Sequence, residues 1–311
     1  MTWTRVPDLR VARSHPAVAV LDGRLYVIGG GGPRFVSLNS VEVFDPATGR
    51  WAEARPMPTL RSGAMAVSLG DRIAVIGGGF KKPDGKFTFL RTVEFYEPAA
   101  DRWSPGPDML QPHDYPACAV LDGWVYIIAG HHPDATEGGP QTDPGFAFAE
   151  RWRPGRAGWE NVAPLPTPRF AASGLVSNHR VAVAGGVAFT PNGFIEYDRV
   201  ELYDPERNAW ARAAWSLPWP AAAHGLVAHR DRFYLFGGFS GDVGIGTLAA
   251  SCDAPAGSGP AAWHPLPPLP EARAAMGMGV VGEKLYLVGG WAADRSVMAS
   301  VVVWSDTTTA P

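Results

Sequence analysis

The chain has 311 residues, of which 46% are hydrophobic, and a formal charge of −3 at pH 7. This composition is typical of a soluble globular protein, and no apolar run approaches the roughly 18 residues of a membrane span. Since basic residues are not in excess, nothing resembles the basic stripe of a nucleic-acid-binding protein. We therefore expect no nucleic-acid partner and no membrane partner, and we expect a free-standing, monomeric, cytoplasmic protein.

The first residues, MTWTRVPDLR, do not contain the apolar stretch of a secretory leader, so we expect them to belong to the folded domain. Two cysteines, Cys118 and Cys252, are too few for a disulfide framework and lack the spacing of a zinc site, so we expect reduced, structural thiols. The 37 glycines and 30 prolines are spread along the whole length, which predicts many short strands joined by turns.

A strand-like segment that ends in a pair of small residues recurs six times. It reads RLYVIGG, RIAVIGG, WVYIIAG, RVAVAGG, RFYLFGG and KLYLVGG. The pairs begin at Gly29, Gly77, Ala129, Gly185, Gly237 and Gly289, with successive spacings of 48, 52, 56, 52 and 52 residues. A period of this length predicts a repeat architecture of six units.

A second mark follows the small pair in most units: an aromatic residue with a tryptophan seven positions later, as in Phe44 and Trp51. Each such tryptophan precedes the next small pair by 26 or 27 residues, and Trp3 precedes Gly29 by 26. The sixth unit has its aromatic residue, Trp304, but no closing tryptophan. The N-terminal segment is therefore predicted to supply the last strand of the sixth unit and so to close a ring without a free sheet edge.

The glycine pair, the turns in VFDPATGRW, FYEPAADRW and LYDPERNAW, and the tryptophan that ends them resemble kelch repeats. This resemblance implies an all-β fold, a six-bladed β-propeller of four-stranded antiparallel sheets, as one domain over residues 1–311 with residues 1–10 completing blade six. Kelch propellers include galactose oxidase, the N-acetylneuraminate epimerases, which this chain resembles in build, and protein-binding modules. The resemblance therefore implies no single function.

Binding residues are expected on one rim of the propeller. The distance from the small pair to the tryptophan varies from 21 to 29 residues, which locates the length variation chiefly in the loop between the second and third strands. Variable loops on a rigid scaffold often carry binding residues, although they can also merely tolerate insertions. The candidate ligand-binding residues on this rim are Tyr115, His131, His132, Phe189, His224, Phe239 and Trp291. The alternative for each aromatic residue is packing against a neighbouring blade.

Charged residues recur at matching repeat positions. Sixteen residues before the small pairs stand Arg13, Arg61, His113, Arg169, Ala221 and Arg273, and the third strands carry Glu42, Glu94, Glu150 and Glu201. We expect these residues to form structural ion pairs. Arg273 faces Val302 at the glutamate position, so we expect an unpaired guanidinium that binds a ligand carboxylate or phosphate. His113 and Asp114 form a candidate catalytic acid/base pair.

The sequence thus favours a small-molecule-binding propeller that recognises an anionic or polar ligand at the channel mouth, with acid/base isomerisation or cyclisation as its candidate chemistry. The alternative is a protein–protein interaction module that binds an acidic peptide segment. Adjacent His131 and His132 on an extended segment would point in opposite directions, and the run from Gly29 to Gly32 lacks the Lys-Ser/Thr of a phosphate loop. We therefore expect no metal and no cofactor.

Overall fold

A computed structural model describes residues 2–136, 143–191, 193–241, 244–255 and 261–305. Six four-stranded antiparallel sheets, the blades, surround a central channel. This architecture confirms the predicted six-bladed, all-β propeller. The described residues contain no helix of the length and apolar character that a membrane span requires.

The strands of each blade follow one another from the channel outward. Blade 1 comprises Ala17–Leu21, Arg24–Ile28, Val41–Asp45 and Arg50–Ala54; blade 2, Met65–Leu69, Arg72–Ile76, Val93–Glu97 and Arg102–Pro105; blade 3, Ala117–Leu121, Trp124–Ile128, Ala149–Trp152 and Glu160–Val162. Blade 4 comprises Ser173–Ser177, Arg180–Ala184, Arg199–Asp204 and Ala209–Ser216; blade 5, Gly225–His229, Arg232–Phe236, Ala249–Asp253 and His264–Pro265; blade 6, Gly277–Val281, Lys284–Val288, Val301–Ser305 and Thr2–Val6.

Short elements decorate the connections. Two-stranded hairpins extend the loops between the second and third strands in blades 2, 4 and 5: Gly79–Lys81 with Phe87–Phe89, Val187–Thr190 with Gly193–Glu196, and Phe239–Ser240 with Gly244–Ile245. Three short 3₁₀ helices span Pro33–Phe35, Pro98–Ala100 and Pro133–Thr136.

The second strands form the core. Leu25, Val27 and Ile28 are almost inaccessible to solvent, because this strand is covered on both faces by neighbouring blades. A strand buried on both faces needs a continuous apolar run rather than an alternating one, which explains the recurring pattern RLYVI. Both cysteines are free thiols.

The propeller closes through the N-terminal strand. Thr2–Val6 pairs antiparallel with Val301–Ser305, with Trp3 opposite Trp304. The Trp3 ring lies edge-on to Phe236 at 5.3 Å between centroids and tilted against Trp304 at 5.0 Å. Trp3 is partly rather than fully buried, because the outermost strand of a blade has no further strand to cover it.

The repeated tryptophan ties each blade to the one before it. Its Nε1–H donates to a carbonyl oxygen at or just beyond the outer strand of the preceding blade, over 2.7–3.0 Å. The donors are Trp3, Trp51, Trp103, Trp159, Trp210 and Trp263, and the acceptors, in the same order, are Pro267, Pro7, Arg55, Pro107, Ala163 and Ser216. Trp3 therefore makes at the seam the same contact that its equivalents make elsewhere.

The predicted ion pairs are confirmed, and they are buried within the blades. The donor-to-acceptor distances are 2.6 Å for Arg13 and Glu42, 2.7 Å for Arg61 and Glu94, 3.2 Å for His113 and Glu150, and 2.6 Å for Arg169 and Glu201. Blade 5 carries alanine at both positions, Ala221 and Ala250. Because alanine replaces both partners, neither charge is buried without the other, which would be strongly destabilising.

Candidate functional site

One face of the propeller carries the loops between second and third strands and the links between blades; we call it the loop-rich mouth. The three extra hairpins and two of the 3₁₀ helices lie on this face. Most connections on the opposite face are short turns, such as those between Leu21 and Arg24 and between Asp45 and Arg50. The sequence prediction that length variation concentrates on one rim therefore corresponds to a real difference between the two faces.

A closed ring of six backbone hydrogen bonds surrounds the channel at the mouth. Each ring residue donates its N–H to the carbonyl oxygen of the ring residue in the preceding blade, over 2.7–3.1 Å. The ring residues are His15, Gly63, Tyr115, Ala171, Ala223 and Ala275, and all have φ between 49° and 66°. This left-handed conformation costs a non-glycine residue on the order of 1 kcal/mol, which the hydrogen bonds of the ring offset. His15 and Tyr115 are the two large side chains of the ring.

A cavity of about 150 Å³ opens at the mouth above this ring. It is lined by Ser14, His15, Gly31, Phe35, Ser62, Gly63, Phe87, Asp114, Tyr115, His131 and Trp291. The structure thus brings together four of the residues selected from the sequence: Asp114, Tyr115, His131 and Trp291. Two of the candidate aromatic residues, Tyr115 and Trp291, line this cavity, whereas Phe239 does not. The central channel, with a volume of about 430 Å³, shares His15, Gly63 and Tyr115 with this cavity.

His131 lies between two carboxylates. Its Nδ1 is hydrogen-bonded to Asp143 Oδ2, and its Nε2 lies 4.0 Å from Asp114 Oδ2 at the cavity. The ring stacks on Phe170 at 3.9 Å and on Phe89 at 5.7 Å. Burial disfavours the charged imidazole, but the hydrogen bond to Asp143 and the charges of both carboxylates outweigh it and raise the pKa of His131.

The two carboxylates are shifted in opposite directions. Burial raises the pKa of Asp114 to about 6, although the charge of His131 opposes the shift. Burial also tends to raise the pKa of Asp143. The hydrogen bond and charge of His131 outweigh this effect, together with hydrogen bonds from the N–H groups of His132 and Gly145, so the pKa of Asp143 is lowered. Groups whose pKa values are separated in this way by their surroundings are a recurring property of functional sites.

His15 also lines the cavity. Its ring lies edge-on to Tyr115 and to Trp291, at 4.5 Å from each, and its Nδ1 lies 3.0 Å from Ser14 Oγ. Burial, together with the charge of His131, lowers the pKa of His15 to about 3. His15 is therefore an uncharged imidazole at neutral pH.

Arg273 corrects the expectation of an unpaired guanidinium at the mouth. It is fully buried within blade 6 and donates to the carbonyl oxygens of Gly289 and Ser300 and to Ser300 Oγ, over 2.8–3.0 Å. Its Nη2 also lies 3.3 Å from Glu271 Oε2. Burial lowers the pKa of Arg273 to about 10. Glu271 replaces the missing third-strand glutamate, so this guanidinium is a structural group and not a ligand anchor.

His113 corrects the proposed acid/base pair. It is fully buried, with Nδ1 2.6 Å from the Ala129 carbonyl oxygen and Nε2 3.2 Å from Glu150 Oε1. These are the contacts that arginine makes in the equivalent blades, so His113 has a structural role. Its neighbour Asp114 does line the cavity, and the histidine beside Asp114 is His131 rather than His113.

The remaining predicted residues lie away from the cavity. The His132 N–H donates to Asp143 Oδ1, and its ring lies edge-on to Phe146. Phe189 packs between Phe170 and Phe194. Phe239 also contacts Phe194, which is consistent with the alternative that these aromatic residues pack between blades. His224 lines the channel, where burial lowers its pKa to about 4.

Sequence reasoning missed Asp143, His15 and Phe87. A signal for His15 was available: it stands two residues after Arg13, at the ring position that Tyr115 occupies in blade 3. Asp143 and Phe87 lie in loops of variable length, where the repeat offers no equivalent position. Their partners could therefore be found only in three dimensions.

The family described as the KLHDC2/KLHL20/DRC7 Kelch-repeats domain matches residues 14–238. Human Kelch-like protein 34 is 29% identical over 219 residues, covering 70% of this chain and 32% of that protein. Mouse Kelch-like protein 35 is 36% identical over 151 residues, covering 48% of this chain and 25% of that protein. Beta-scruin of Limulus polyphemus is 26% identical over 247 residues, covering 76% of this chain and 26% of that protein.

Among solved structures, YjhT has a TM-score of 0.79 with 16% identity and covers 98% of both chains. This similarity concerns the fold. The chain spans between a quarter and a third of the length of the first three curated relatives. Six blades with the repeated glycine pair and tryptophan, together with a family match over more than half of the chain, establish that this protein belongs to the kelch-repeat family.

Proposed function

We propose that this protein is an interaction module whose loop-rich mouth binds a segment of a partner protein. The observation that carries the proposal is the distribution of exposed apolar side chains. Of the eight large apolar side chains that are exposed in the described residues, seven lie on loops or links at the mouth: Phe35, Val36, Leu60, Leu110, Phe194, Ile195 and Leu248. The eighth, Val120, lies near the opposite end of an inner strand.

The exposed apolar side chains are concentrated on one face, which favours that face as a binding surface. Val36 is 59% exposed, Phe35 58% and Leu248 45%, and all three lie between the second and third strands of their blades. Exposed apolar side chains concentrated on one face of a domain favour that face as the site for a protein partner. Kelch propellers are commonly protein-interaction modules, and membership of that family supports the same proposal.

The proposal is tested by selecting displayed random peptides on the purified protein and measuring their affinities for variants. We expect Val36→Ser combined with Ile195→Ser to weaken binding about tenfold or more, since each substitution removes apolar contact area worth about 1 kcal/mol. Val120→Ser, which changes an exposed valine toward the opposite face, is the matched control and should leave affinity unchanged. Peptides that respond to Val120→Ser and not to the mouth variants would refute the proposal.

A second candidate function is acid/base chemistry on a small polar molecule in the mouth cavity. The observation that favours it is the position of His131, whose Nδ1 is bonded to Asp143 while its Nε2 lies at the cavity beside Asp114. A carboxylate behind an imidazole holds the ring in one orientation and one tautomer, which suits proton transfer at the other nitrogen. Isomerisation or cyclisation would then use His131 and Asp114, with His113 confined to its structural contacts.

This candidate is tested by proton exchange. The protein is incubated in D₂O with a panel of small sugars and hydroxy or keto acids, and deuterium incorporation and anomer exchange are followed by NMR. Turnover that His131→Gln abolishes and that a stably folded His113→Gln variant retains would support the assignment. Turnover that survives His131→Gln, or its absence with the whole panel, would count against this second function.

A further inference from the structure

The mouth cavity contains one uncompensated negative charge. Among the described residues that line it there is no lysine or arginine. Asp143 has His131 as its hydrogen-bonded partner, and His15 is neutral because burial lowers its pKa to about 3. The carboxylate of Asp114 therefore remains as the net charge of the cavity.

The carboxylate of Asp114 is also short of hydrogen-bond donors. Its Oδ1 is buried against Gly63 and accepts no hydrogen bond from any described residue. Its Oδ2 has no hydrogen-bond donor among the described residues, since His131 Nε2 lies 4.0 Å away, and 13% of the side chain is accessible to solvent. An acceptor with so few donors is stabilised by a ligand that brings a donor and a positive charge.

Aromatic rings form the rest of the enclosure. Phe35, Phe87, Tyr115 and Trp291 all line the cavity, and the Trp291 ring lies 4.5 Å from the His15 ring and 6.3 Å from the Phe35 ring, between centroids. The faces of aromatic rings attract cations, most strongly where water is excluded. Anionic groups are disfavoured by the same rings and by Asp114.

We propose that the mouth cavity binds an ammonium group, with Asp114 as its counter-ion and Phe35, Phe87, Tyr115 and Trp291 as its aromatic walls. The group is either a free small amine or the side chain of a lysine in a partner segment. The lysine form rests on the interaction module proposed above, whereas the free-amine form does not. The proposal reverses the ligand charge expected from the sequence, because Arg273 is buried in its blade and the acid is at the mouth.

The experiment measures binding of methylammonium by titration calorimetry and ligand-observed NMR, with acetate as the matched anion. We expect methylammonium to bind the wild type and Asp114→Asn to weaken that binding about tenfold or more, since the substitution removes the counter-ion. Asp134→Asn is the control: it removes an exposed acid on the same face, 92% accessible, and should change affinity less than about twofold. Asp114 accepts no side-chain hydrogen bond from a described residue and burial raises its pKa, so Asp114→Asn is expected to melt at or above the wild-type temperature.

The pH dependence gives a second readout. Between pH 7 and 5 the groups facing the cavity behave differently: Asp114 titrates with a pKa of about 6, His131 has a raised pKa, Asp143 a lowered one, and His15 remains neutral. A cation prefers the ionised carboxylate, so affinity for methylammonium should fall as pH drops below about 6 in the wild type. In Asp114→Asn this fall should be absent.

Two arms distinguish the sources of the ammonium group. Lysine-containing peptides from the display selection that displace methylammonium identify the partner's side chain as the source; methylammonium binding that no such peptide displaces identifies a free amine. The proposal is overturned if methylammonium does not bind, if acetate binds in its place, or if Asp114→Asn binds as well as the wild type. If the Val36→Ser/Ile195→Ser variant loses peptide binding but still binds methylammonium, peptide binding by the exposed loops and ammonium binding by the cavity are independent of each other.

Discussion

Trp3→Ala is the most direct test of the seam that closes the propeller. The substitution removes the edge-on contact with Phe236, the contact with Trp304 and the hydrogen bond from Nε1 to the Pro267 carbonyl oxygen at 3.0 Å. The outer strand of blade 6, Thr2–Val6, is held in its sheet by pairing with Val301–Ser305, and the chain runs from Val6 into blade 1. The variant therefore weakens the seam itself.

The expected cost follows from partial burial. A fully buried tryptophan loses about 3–5 kcal/mol on replacement by alanine. Because Trp3 is only partly buried, about half of that applies, and the lost hydrogen bond to a solvent-accessible carbonyl adds about 0.5–1 kcal/mol. We expect Trp3→Ala to lower the free energy of unfolding by about 2–3 kcal/mol.

Trp103→Ala is the matched control. Trp103 is also partly buried, packs on Tyr96 at 5.0 Å and donates to the Arg55 carbonyl oxygen of blade 1, away from the seam, and a short turn joins its strand to its own blade. Chemical denaturation should show similar losses for both variants. Peptide-level hydrogen exchange should show faster exchange over residues 301–305 in Trp3→Ala alone, since local opening there exposes an edge strand. Unchanged exchange over residues 301–305 together with unchanged stability would refute the reasoning.

Two further predictions concern buried charges. Arg13→Ala should destabilise the protein by about 3–5 kcal/mol, because it leaves Glu42 buried without its partner, and adding Glu42→Leu should recover part of that loss. Urea and thermal unfolding measure the stability of the single and double variants. Fully additive losses would contradict the pairing. Burial lowers the pKa of His224 in the folded protein to about 4, whereas in the unfolded chain it is about 6.5. As pH falls below about 6.5, the unfolded chain therefore binds a proton that the folded protein does not, and the free energy of unfolding decreases. Between pH 7 and 5 the wild type should lose up to about 2 kcal/mol more than His224→Asn, and equal losses in the two proteins would show that His224 contributes nothing.

Much of the fold could be predicted from local sequence because each blade repeats the same strand order and the same marker residues. The small pair marks the end of the second strand, and the tryptophan marks the outer strand that is bonded to the preceding blade. Counting from Trp3 to Gly29 was enough to predict the seam. The buried pairs of Arg13 with Glu42 and of Arg61 with Glu94 were equally predictable, since both partners recur at constant repeat positions.

The site depended on contacts that the repeat does not encode. Arg273 lacks the repeat glutamate, and its carboxylate comes instead from Glu271, two residues earlier in the link between blades. His131 was selected from the sequence, but Asp143 reaches it from a loop whose length is particular to blade 3. Local periodicity determined which residues are buried and paired, whereas the folding of loops over the mouth decided which carboxylate remained without a partner. That difference arises because strand pairing repeats with the sequence, and loop packing depends on neighbours that are distant in the chain.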